Sequence, residues 1–351
     1  MTQATSLLTI NGAYGEGGGA LLRAALSMAA INEQPTFISN IRTGTRYPGL
    51  DSEDLAILNA LTESTEAEVD GSELGSATVR FTPSRRSRGL NRTLKSVDPQ
   101  SARFPNALIV LGTLLPVLSR TGMYSSISMD GETHGANAIS YDAFANVTLE
   151  ALKQMGIYAY PEIERAAFGR DSAGHVSLDI EPSATAGLMW AERGALKGLY
   201  AAVTTSHLPP NIADRGVNHL KRLAQSANVP IEIEHADVPA KGPGAFITVW
   251  AKYERGLGSG TAMAMRGMRM EAVAQAAFEE VFDWMASNAT VDPYLADQII
   301  LPLALAGAPS IISVPRLTTR LLTIIWVIKQ FMPIHITVKG KENEPGVISI
   351  S

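Results

Sequence analysis

Short apolar runs alternate with longer apolar or amphipathic segments along most of the chain. Short runs bounded by turn residues are typical of strands, whereas apolar positions three and four residues apart are typical of helices. In the first half this pattern predicts strands at residues 7–10, 36–41, 69, 78–81, 125–129, 158–160 and 175–180, and helices at residues 18–31, 51–62, 107–118 and 142–155. In the second half it predicts strands at residues 196–204, 230–234, 245–251, 334–338 and 346–350, and helices at residues 212–227, 270–287, 293–306 and 318–331.

The starts of three predicted helices carry residues that favour helix initiation. Asp51 is a candidate N-cap, and Pro293 stands in the first turn of a very apolar helix. Thr318 or Thr319 is the candidate cap of the last helix. These local signals support the helix assignments that the apolar pattern predicts.

One arrangement recurs along the chain: a helix ends, a polar break follows, and two strands separated by a turn come next. It begins near Asn59, Leu152, Leu223 and Ile328. Helix pairs on small sheets, repeated, indicate an α+β protein with a helical layer on each sheet. The character of the sequence changes near residue 184.

Composition narrows the classes of protein and of site. The chain has 351 residues, 46% of them hydrophobic and 18% charged, which is typical of a globular protein of one large domain or two. The net charge of −5 argues against strong non-specific binding to nucleic acid. The absence of cysteine excludes disulfides, thiol catalysis and Cys-ligated metal sites. We expect a cytoplasmic protein without a signal peptide or a membrane-spanning segment. A homodimer is one of the possible assemblies.

Four glycines surround Glu16 between the first strand and the first helix, at positions 15, 17, 18 and 19. A glycine-rich turn that opens a helix can bind an anion through its free N–H groups. Because the carboxylate of Glu16 would repel a bound phosphate, such a site would need a metal ion that bridges the two groups. The alternative is a tight turn that needs glycine only for packing. Dinucleotide binding has little weight because the acid expected after the second strand is missing. A Walker loop fails because no Gly-Lys-Ser/Thr follows the glycines.

Several charged residues elsewhere are candidates for an anion site. Arg42 and Arg46 flank a glycine turn, where guanidinium groups suit phosphate, although solvent exposure explains them too. Residues 80–95 carry six basic side chains and no acid, which predicts either a solvated loop or a phosphate-contacting patch. Arg320 opposes the dipole at the start of its helix, so it needs an acid such as Asp297 or Glu16, or a bound anion.

Three separated motifs, in order, resemble the RNA 3′-terminal phosphate cyclase family. They are GAYGEGGGALLRAALS at 12–27, IRTGTRYPGL at 41–50, and YLADQ at 294–298 with LPLALAG at 301–307. The resemblance spans nearly the whole chain. It implies an α+β fold of three repeated sheet-plus-two-helix units, with a body at residues 1–184 and 268–351 and a smaller inserted α/β domain at residues 185–267.

The resemblance also implies a chemistry. Enzymes of this family use ATP and Mg²⁺ or Mn²⁺; a histidine takes AMP and passes it to an RNA 3′-phosphate, which then closes to a 2′,3′-cyclic phosphate. By resemblance Glu16 would hold the metal. The residues that would bind phosphate or nucleotide are Gly17, Gly18, Gly19, Arg23, Arg42, Arg46, Tyr294, Asp297 and Gln298.

The sequence departs from the family pattern at the nucleophile. Arg320 stands where the family histidine is expected, and an arginine cannot serve as this nucleophile. Glu53, followed by Asp54, replaces a family glutamine, Gly112 replaces another, and residues 103–106 replace a Gly-Ser stretch.

Several functions follow from the resemblance and these departures. The first expectation is a cyclase-like protein that binds an RNA 3′-phosphate end, or a phosphorylated small molecule, without histidine adenylylation. The alternatives are an active ATP-dependent transferase of altered mechanism, a non-catalytic factor in RNA or ribosome assembly, and, with little weight, a carboxyvinyl transferase-like enzyme.

Overall fold

A computed structural model of the chain describes residues 6–95, 103–136 and 138–351, whose strands form four small sheets. The strands of the first half are β1 (Leu8–Asn11), β2 (Thr36–Ser39), β3 (Glu68–Asp70), β4 (Val79–Thr82), β5 (Asn91–Leu94), β6 (Ser125–Gly131), β7 (Ala159–Arg165) and β8 (Gly174–Ile180). Those of the second half are β9 (Leu196–Ser206), β10 (Ile231–Asp237), β11 (Gly244–Tyr253), β12 (Gly256–Met263), β13 (Ser310–Val314), β14 (Ile336–Lys339) and β15 (Gly346–Ile350).

Helices connect the strands. They are α1 (Gly19–Asn32), α2 (Ser52–Thr65), α3 (Ala107–Leu118), α4 (Tyr141–Ala143), α5 (Leu149–Gln154), α6 (Pro210–Ser226), α7 (Met270–Ala286), α8 (Pro293–Leu305) and α9 (Thr319–Phe331). A π-helical turn, Phe144–Thr148, joins α4 to α5 where the sequence predicts one uninterrupted helix. None of the helices in the described ranges is long and apolar enough to cross a membrane.

Three of the sheets repeat one topology. In the first, β1 and β2 are parallel, β4 is antiparallel to β2, and β3 is antiparallel to β4; β5, β6, β8 and β7 repeat this order. In the third, β15 is antiparallel to β13 and β14, and Met189 forms a parallel bridge to Ile311. Two helical segments accompany each sheet, so the predicted α+β fold of three sheet-plus-two-helix units is confirmed.

The remaining sheet, ordered β10–β9–β11–β12, packs with α6 and α7 around a hydrophobic core of its own. In the chain it falls between Met189 and α8, so it interrupts the third repeated unit. The core of this unit includes α7, which lies beyond residue 267. The limits of the insert, 185 and 267, stay a prediction, and the packing of α7 favours a later end.

Strand β12 is absent from the predicted elements because its glycines hide the strand pattern. A Cβ at Gly258 would lie 2.5 Å from the Trp284 ring, and one at Gly260 would lie 2.2 Å from the carbonyl oxygen of Ala277. Glycine is therefore needed for the close approach of α7 to the sheet. Strands β5 and β13 are also missing from the prediction.

The predicted helix starts are confirmed. The Asp51 side chain accepts a hydrogen bond from Asp54 N (3.0 Å), while the Asp54 side chain accepts one from Asp51 N (3.1 Å). This reciprocal capping box fixes the first turn of α2. Thr318 caps α9 by accepting from Leu321 N. Helix α1 packs against α2, α3 and α9, and this packing brings the glycine turn before α1 next to the starts of α2 and α9.

Candidate functional site

The glycine turn before α1 is held against helix α9. Gly15 and Gly17 have φ of +59° and +61°, a conformation that glycine adopts without strain. A Cβ at Gly15 would lie 2.1 Å from Thr323 Oγ1. Gly18 is the N-cap of α1 and supplies no side chain to the first N–H groups of the helix. The turn thus needs glycine for its shape, and anion binding by Gly17, Gly18 and Gly19 stays a prediction.

Two arginines meet at Gly19, the first residue of α1. A Cβ at this glycine would lie 2.5 Å from both Arg23 Nη1 and Arg42 Nη2. Burial lowers the pKa of Arg23, although the nearby carboxyls of Asp54 and Asp51 offset part of the effect. Two guanidinium groups at a helix N-terminus make this corner attractive to an anion.

Arg42 is also paired with two acids at the start of α2. Its Nη2 lies 2.6 Å from Asp51 Oδ2, and its Nη1 donates to Asp54 Oδ2 and to the carbonyl oxygen of Gly49. Only 11% of the side chain is exposed. The guanidinium therefore joins the loop after β2 to helix α2, and phosphate binding by Arg42 stays a prediction.

Two positions that depart from the family pattern, Glu53 and Asn106, contact each other at the start of α2. Glu53 is 2% exposed, and its Oε1 accepts hydrogen bonds from Arg170 Nη2 (2.5 Å) and from Asn106 N (3.1 Å). Burial, and next the charge of Asp51, raise the pKa of Glu53. The negative charge that Glu53 introduces in place of glutamine is thus paired with the positive charge of Arg170. The sequence did not indicate this role for Arg170.

A cleft of about 330 Å³ opens at the start of α9. Its lining residues are Glu16, Tyr294, Asp297, Arg316, Thr318, Thr319, Arg320 and Asn343. They come from the glycine turn, from the start of α8, from the segment before α9 and from the β14–β15 turn. The cleft therefore collects residues from both ends of the chain.

Arg320 forms an ion pair with Glu16 in the cleft. Its Nε lies 3.1 Å from both carboxylate oxygens of Glu16, and its Nη2 lies 2.8 Å from Glu16 Oε1. The same guanidinium is 3.9 Å from Asp297 Oδ2 through Nη1. Hydrogen bonding to Glu16 raises the pKa of Arg320, so the side chain is held positively charged. The compensation expected for a cation at this helix start is supplied by these two acids.

Asp297 is the more buried of these two acids. Burial raises its pKa to about 7, with Arg320 opposing the shift and Glu16 adding to it. Thr318 Oγ1 donates to Asp297 Oδ1 (3.3 Å). A carboxyl with a pKa near neutrality can exchange a proton under physiological conditions.

The other predicted site residues do not line the cleft. Gln298 donates to the carbonyl oxygen of Tyr294 and accepts from Thr148 Oγ1 (2.6 Å), so its side chain ties α8 to the π-helical turn. Arg46 is exposed and stacks over Tyr47, 5.3 Å from the ring centroid. Among the predicted residues, those that line the cleft are Glu16, Tyr294, Asp297 and Arg320. The roles of all of them stay predictions.

Arg316 and Asn343 are cleft residues that the sequence did not indicate. Arg316 precedes the cap of α9 and is exposed, and Asn343 has φ of +64° in the β14–β15 turn. Arg316 had no comparable local signal, because it lies before the helix cap, outside the first turn where a cation would oppose the dipole. Asn343 had none, because its position depends on how β14 and β15 pack against α9.

The basic stretch at residues 80–95 is largely neutralised. Its arginines pair with acids: Arg80 with Asp70, Arg85 and Arg88 with Glu66, Arg86 with Glu33, and Arg92 with Glu63. These pairs are exposed and each contributes little to stability. They favour the solvated-loop interpretation over a phosphate-contacting patch.

Buried carboxyls are expected to make the protein more stable at pH 5.5 than at pH 8. Burial raises the pKa of Asp292 to about 6 and that of Asp54 to about 7. The folded protein then binds more protons than the unfolded chain between about pH 4 and pH 7, so stability falls as pH rises through this window. Thermal unfolding should show a midpoint several degrees higher at pH 5.5.

Asp292→Asn is the control for this pH dependence, because asparagine can still cap α8 through Tyr294 N and Leu295 N. The variant should show a shallower dependence of the midpoint on pH. A midpoint that rises from pH 5.5 to pH 8 in the wild type would contradict the shifts.

Histidine is missing from the cleft, and its acids form no metal-binding group. None of the residues that line it is a histidine. Within the described ranges, no three His, Cys, Asp or Glu side chains are grouped as ligands for a metal ion. The cleft offers two acids, two arginines and several hydroxyl or amide groups.

Comparison with known proteins relates the chain to one family. The RNA 3′-terminal phosphate cyclase family matches residues 14–338. An RNA 3′-terminal phosphate cyclase of Methylococcus capsulatus is 32% identical over 348 residues, covering 98% of this chain and 96% of the relative. Another, of Thermococcus gammatolerans, is 32% identical over 351 residues, covering 97% of each. The similarity thus extends over nearly the whole length of both proteins.

Proposed function

The chain belongs to the RNA 3′-terminal phosphate cyclase family, and from this premise we propose that it binds a phosphorylated RNA 3′ end without forming a histidine-bound nucleotide. The observation that carries the proposal is Arg320, in the first turn of α9, where the resemblance implies the nucleophile. Its guanidinium is paired with Glu16 and keeps its proton, so it offers no lone pair for attack on ATP. ATP binding itself stays a prediction.

The cleft has the groups that a terminal phosphate requires. Arg316 and Arg320 both line it, and within the described ranges Arg316 has no ion pair. A guanidinium can bind two phosphate oxygens at once, and the hydroxyls of Thr318 and Thr319 can donate to others. Because the whole protein is acidic, recognition would depend on these local groups rather than on general attraction to RNA.

A second function, an active enzyme of altered mechanism, is favoured by Asp297. Its pKa of about 7 suits a general base that would take the proton of the 2′-hydroxyl as this oxygen displaces AMP from a 3′-phosphate already adenylylated by ATP with release of pyrophosphate. Arg320, 3.9 Å away, would stabilise the charge that develops on the phosphate. Formation of a 2′,3′-cyclic end that disappears in Asp297→Asn would support this alternative over simple binding.

Calorimetry with short RNAs that differ only in their 3′ end tests the first proposal. We expect an RNA ending in 3′-phosphate to bind at least about tenfold more tightly than the same RNA ending in 3′-hydroxyl, because hydrogen bonds to a charged group contribute about 1.5–3 kcal/mol. Arg316→Ala should weaken binding of the 3′-phosphate RNA by about tenfold or more.

Arg215→Ala is the matched control, since Arg215 is an exposed arginine of the inserted unit paired with Glu271. It should leave the affinity unchanged. Equal affinity for the two RNA ends would contradict recognition of the phosphate and favour a non-catalytic assembly factor.

A further inference from the structure

The carboxylate of Glu16, which the resemblance assigns to a divalent metal, is already occupied by a cation. Both of its oxygens lie within 3.1 Å of guanidinium nitrogens of Arg320. The guanidinium also reaches towards Asp297, the other acid of the cleft. A single positive charge, on a side chain that is 46% exposed, therefore links the two acids of the cleft.

Other contacts hold this ion pair in place. Glu16 N donates to Thr323 Oγ1 (3.0 Å), one turn after Arg320 on the same helix. Tyr14 stacks on Trp326 with ring centroids 3.9 Å apart and an angle of 18° between the planes. The glycine turn and α9 are thus fixed against each other from Arg320 to Trp326. The pair lies at a packed interface between two elements, and its partly exposed side chains are oriented by the contacts on either side of it.

The residues of the cleft do not fit a divalent metal while this pair is formed. Mg²⁺ binds oxygen ligands at about 2.0–2.1 Å, which would require the carboxylate of Glu16 to release Arg320. A dication within a few ångströms of the guanidinium would also be repelled by it. The remaining acid, Asp297, also faces this guanidinium, with its Oδ2 3.9 Å from Arg320 Nη1.

We infer that the Arg320 guanidinium takes the place of the divalent metal at Glu16, so that the cleft binds phosphate without a metal ion. Arg320 supplies a positive charge at the position that the resemblance assigns to the metal. Metal-free binding of RNA rests on the proposed function. The competition between Arg320 and a metal ion for Glu16 does not, because it concerns the protein alone.

Titration of the protein with Mn²⁺ alone, followed by electron paramagnetic resonance, tests the competition directly. The wild type should bind Mn²⁺ weakly, and Arg320→Ala should bind it at least about tenfold more tightly because the competing charge is gone. The gain should vanish in the double variant Arg320→Ala with Glu16→Gln. Arg320→Lys keeps the positive charge and should resemble the wild type.

Arg316→Ala is the matched control: it removes a cation that lines the same cleft but does not contact Glu16. It should not create a Mn²⁺ site. Equal Mn²⁺ affinity in the wild type and Arg320→Ala would overturn the inference, as would tight binding by the wild type that Glu16→Gln abolishes. Unchanged thermal midpoints would show that the variants are folded.

Fluorescence anisotropy with labelled 3′-phosphate RNA gives the second readout. Replacing Mg²⁺ by a chelator should change the affinity of the wild type by less than about twofold, after correction for salt. A loss of tenfold or more would overturn metal-free binding. If the RNA does not bind under either condition, the proposed function fails, while the Mn²⁺ titration still decides the role of Arg320.

Discussion

Wild-type protein incubated with α-labelled ATP and Mg²⁺ or Mn²⁺ is expected to carry no covalently bound nucleotide after denaturing electrophoresis. Arg320 stands at the first turn of α9, and its guanidinium stays protonated beside Glu16. Loss of a covalent nucleophile typically costs several orders of magnitude in rate. A cyclase that keeps the histidine, treated in parallel, should be labelled by a bond that acid breaks.

Arg320→His is the informative companion to this labelling experiment. It restores a nucleophile and at the same time releases Glu16. Labelling that returns in this variant would show that the rest of the pocket accepts ATP; no labelling would direct attention to Glu53 and Gly112. A stable adduct on the wild-type protein would contradict the predicted loss of a covalent nucleophile, whichever residue carried it.

Arg42→Met is expected to destabilise the folded protein by about 3 kcal/mol at pH 7.5, because removal of one partner of a buried ion pair leaves its acid uncompensated. Asp54 is fully buried, and Arg42 is the cation that donates to its Oδ2. Asp51, at 2.6 Å, loses the same partner. Urea unfolding at pH 7.5 measures the loss. It should be smaller at pH 5.5, where Asp54, with a pKa of about 7, takes up a proton.

Two further variants test the cause of this loss of stability. Adding Asp54→Asn to Arg42→Met should recover a large part of the stability, since the buried charge is then removed with its partner. Arg85→Met breaks an exposed pair with Glu66 and should change stability by less than about 1 kcal/mol. If Arg42→Met lowers the free energy of unfolding no more than Arg85→Met does, the structural role given to Arg42 is wrong, and Arg42 is available to bind a ligand.

Much of the fold could be read from local signals. The N-caps Asp51 and Thr318 and the alternation of helices and strands depend on neighbours within a few residues, so the sequence carries them directly. The repeated unit was visible for the same reason, since each copy has its own helix, break and strand pair. Where packing overrides a local rule, as in the glycine-rich strand β12 beneath α7, the sequence pattern predicted no element.

The chemistry of the candidate site was only partly accessible. Glu16, Asp297 and Arg320 were named from their motifs and from the cost of a cation at a helix start, and the structure brings them together. Arg316 and Asn343 were missed because nothing local distinguishes them. Arg42 was expected to face phosphate, and its two acidic partners show how strongly the start of α2 competes for it.

The sequence by itself determined the class of fold, the family and the arginine at the expected position of the nucleophile. Only the tertiary structure decided what that arginine does. Glu16 and Arg320 are 304 residues apart, and their contact exists because Gly15 lets the glycine turn approach Thr323 of α9. Such a contact depends on how whole elements pack across the core, a property that no short stretch of sequence carries.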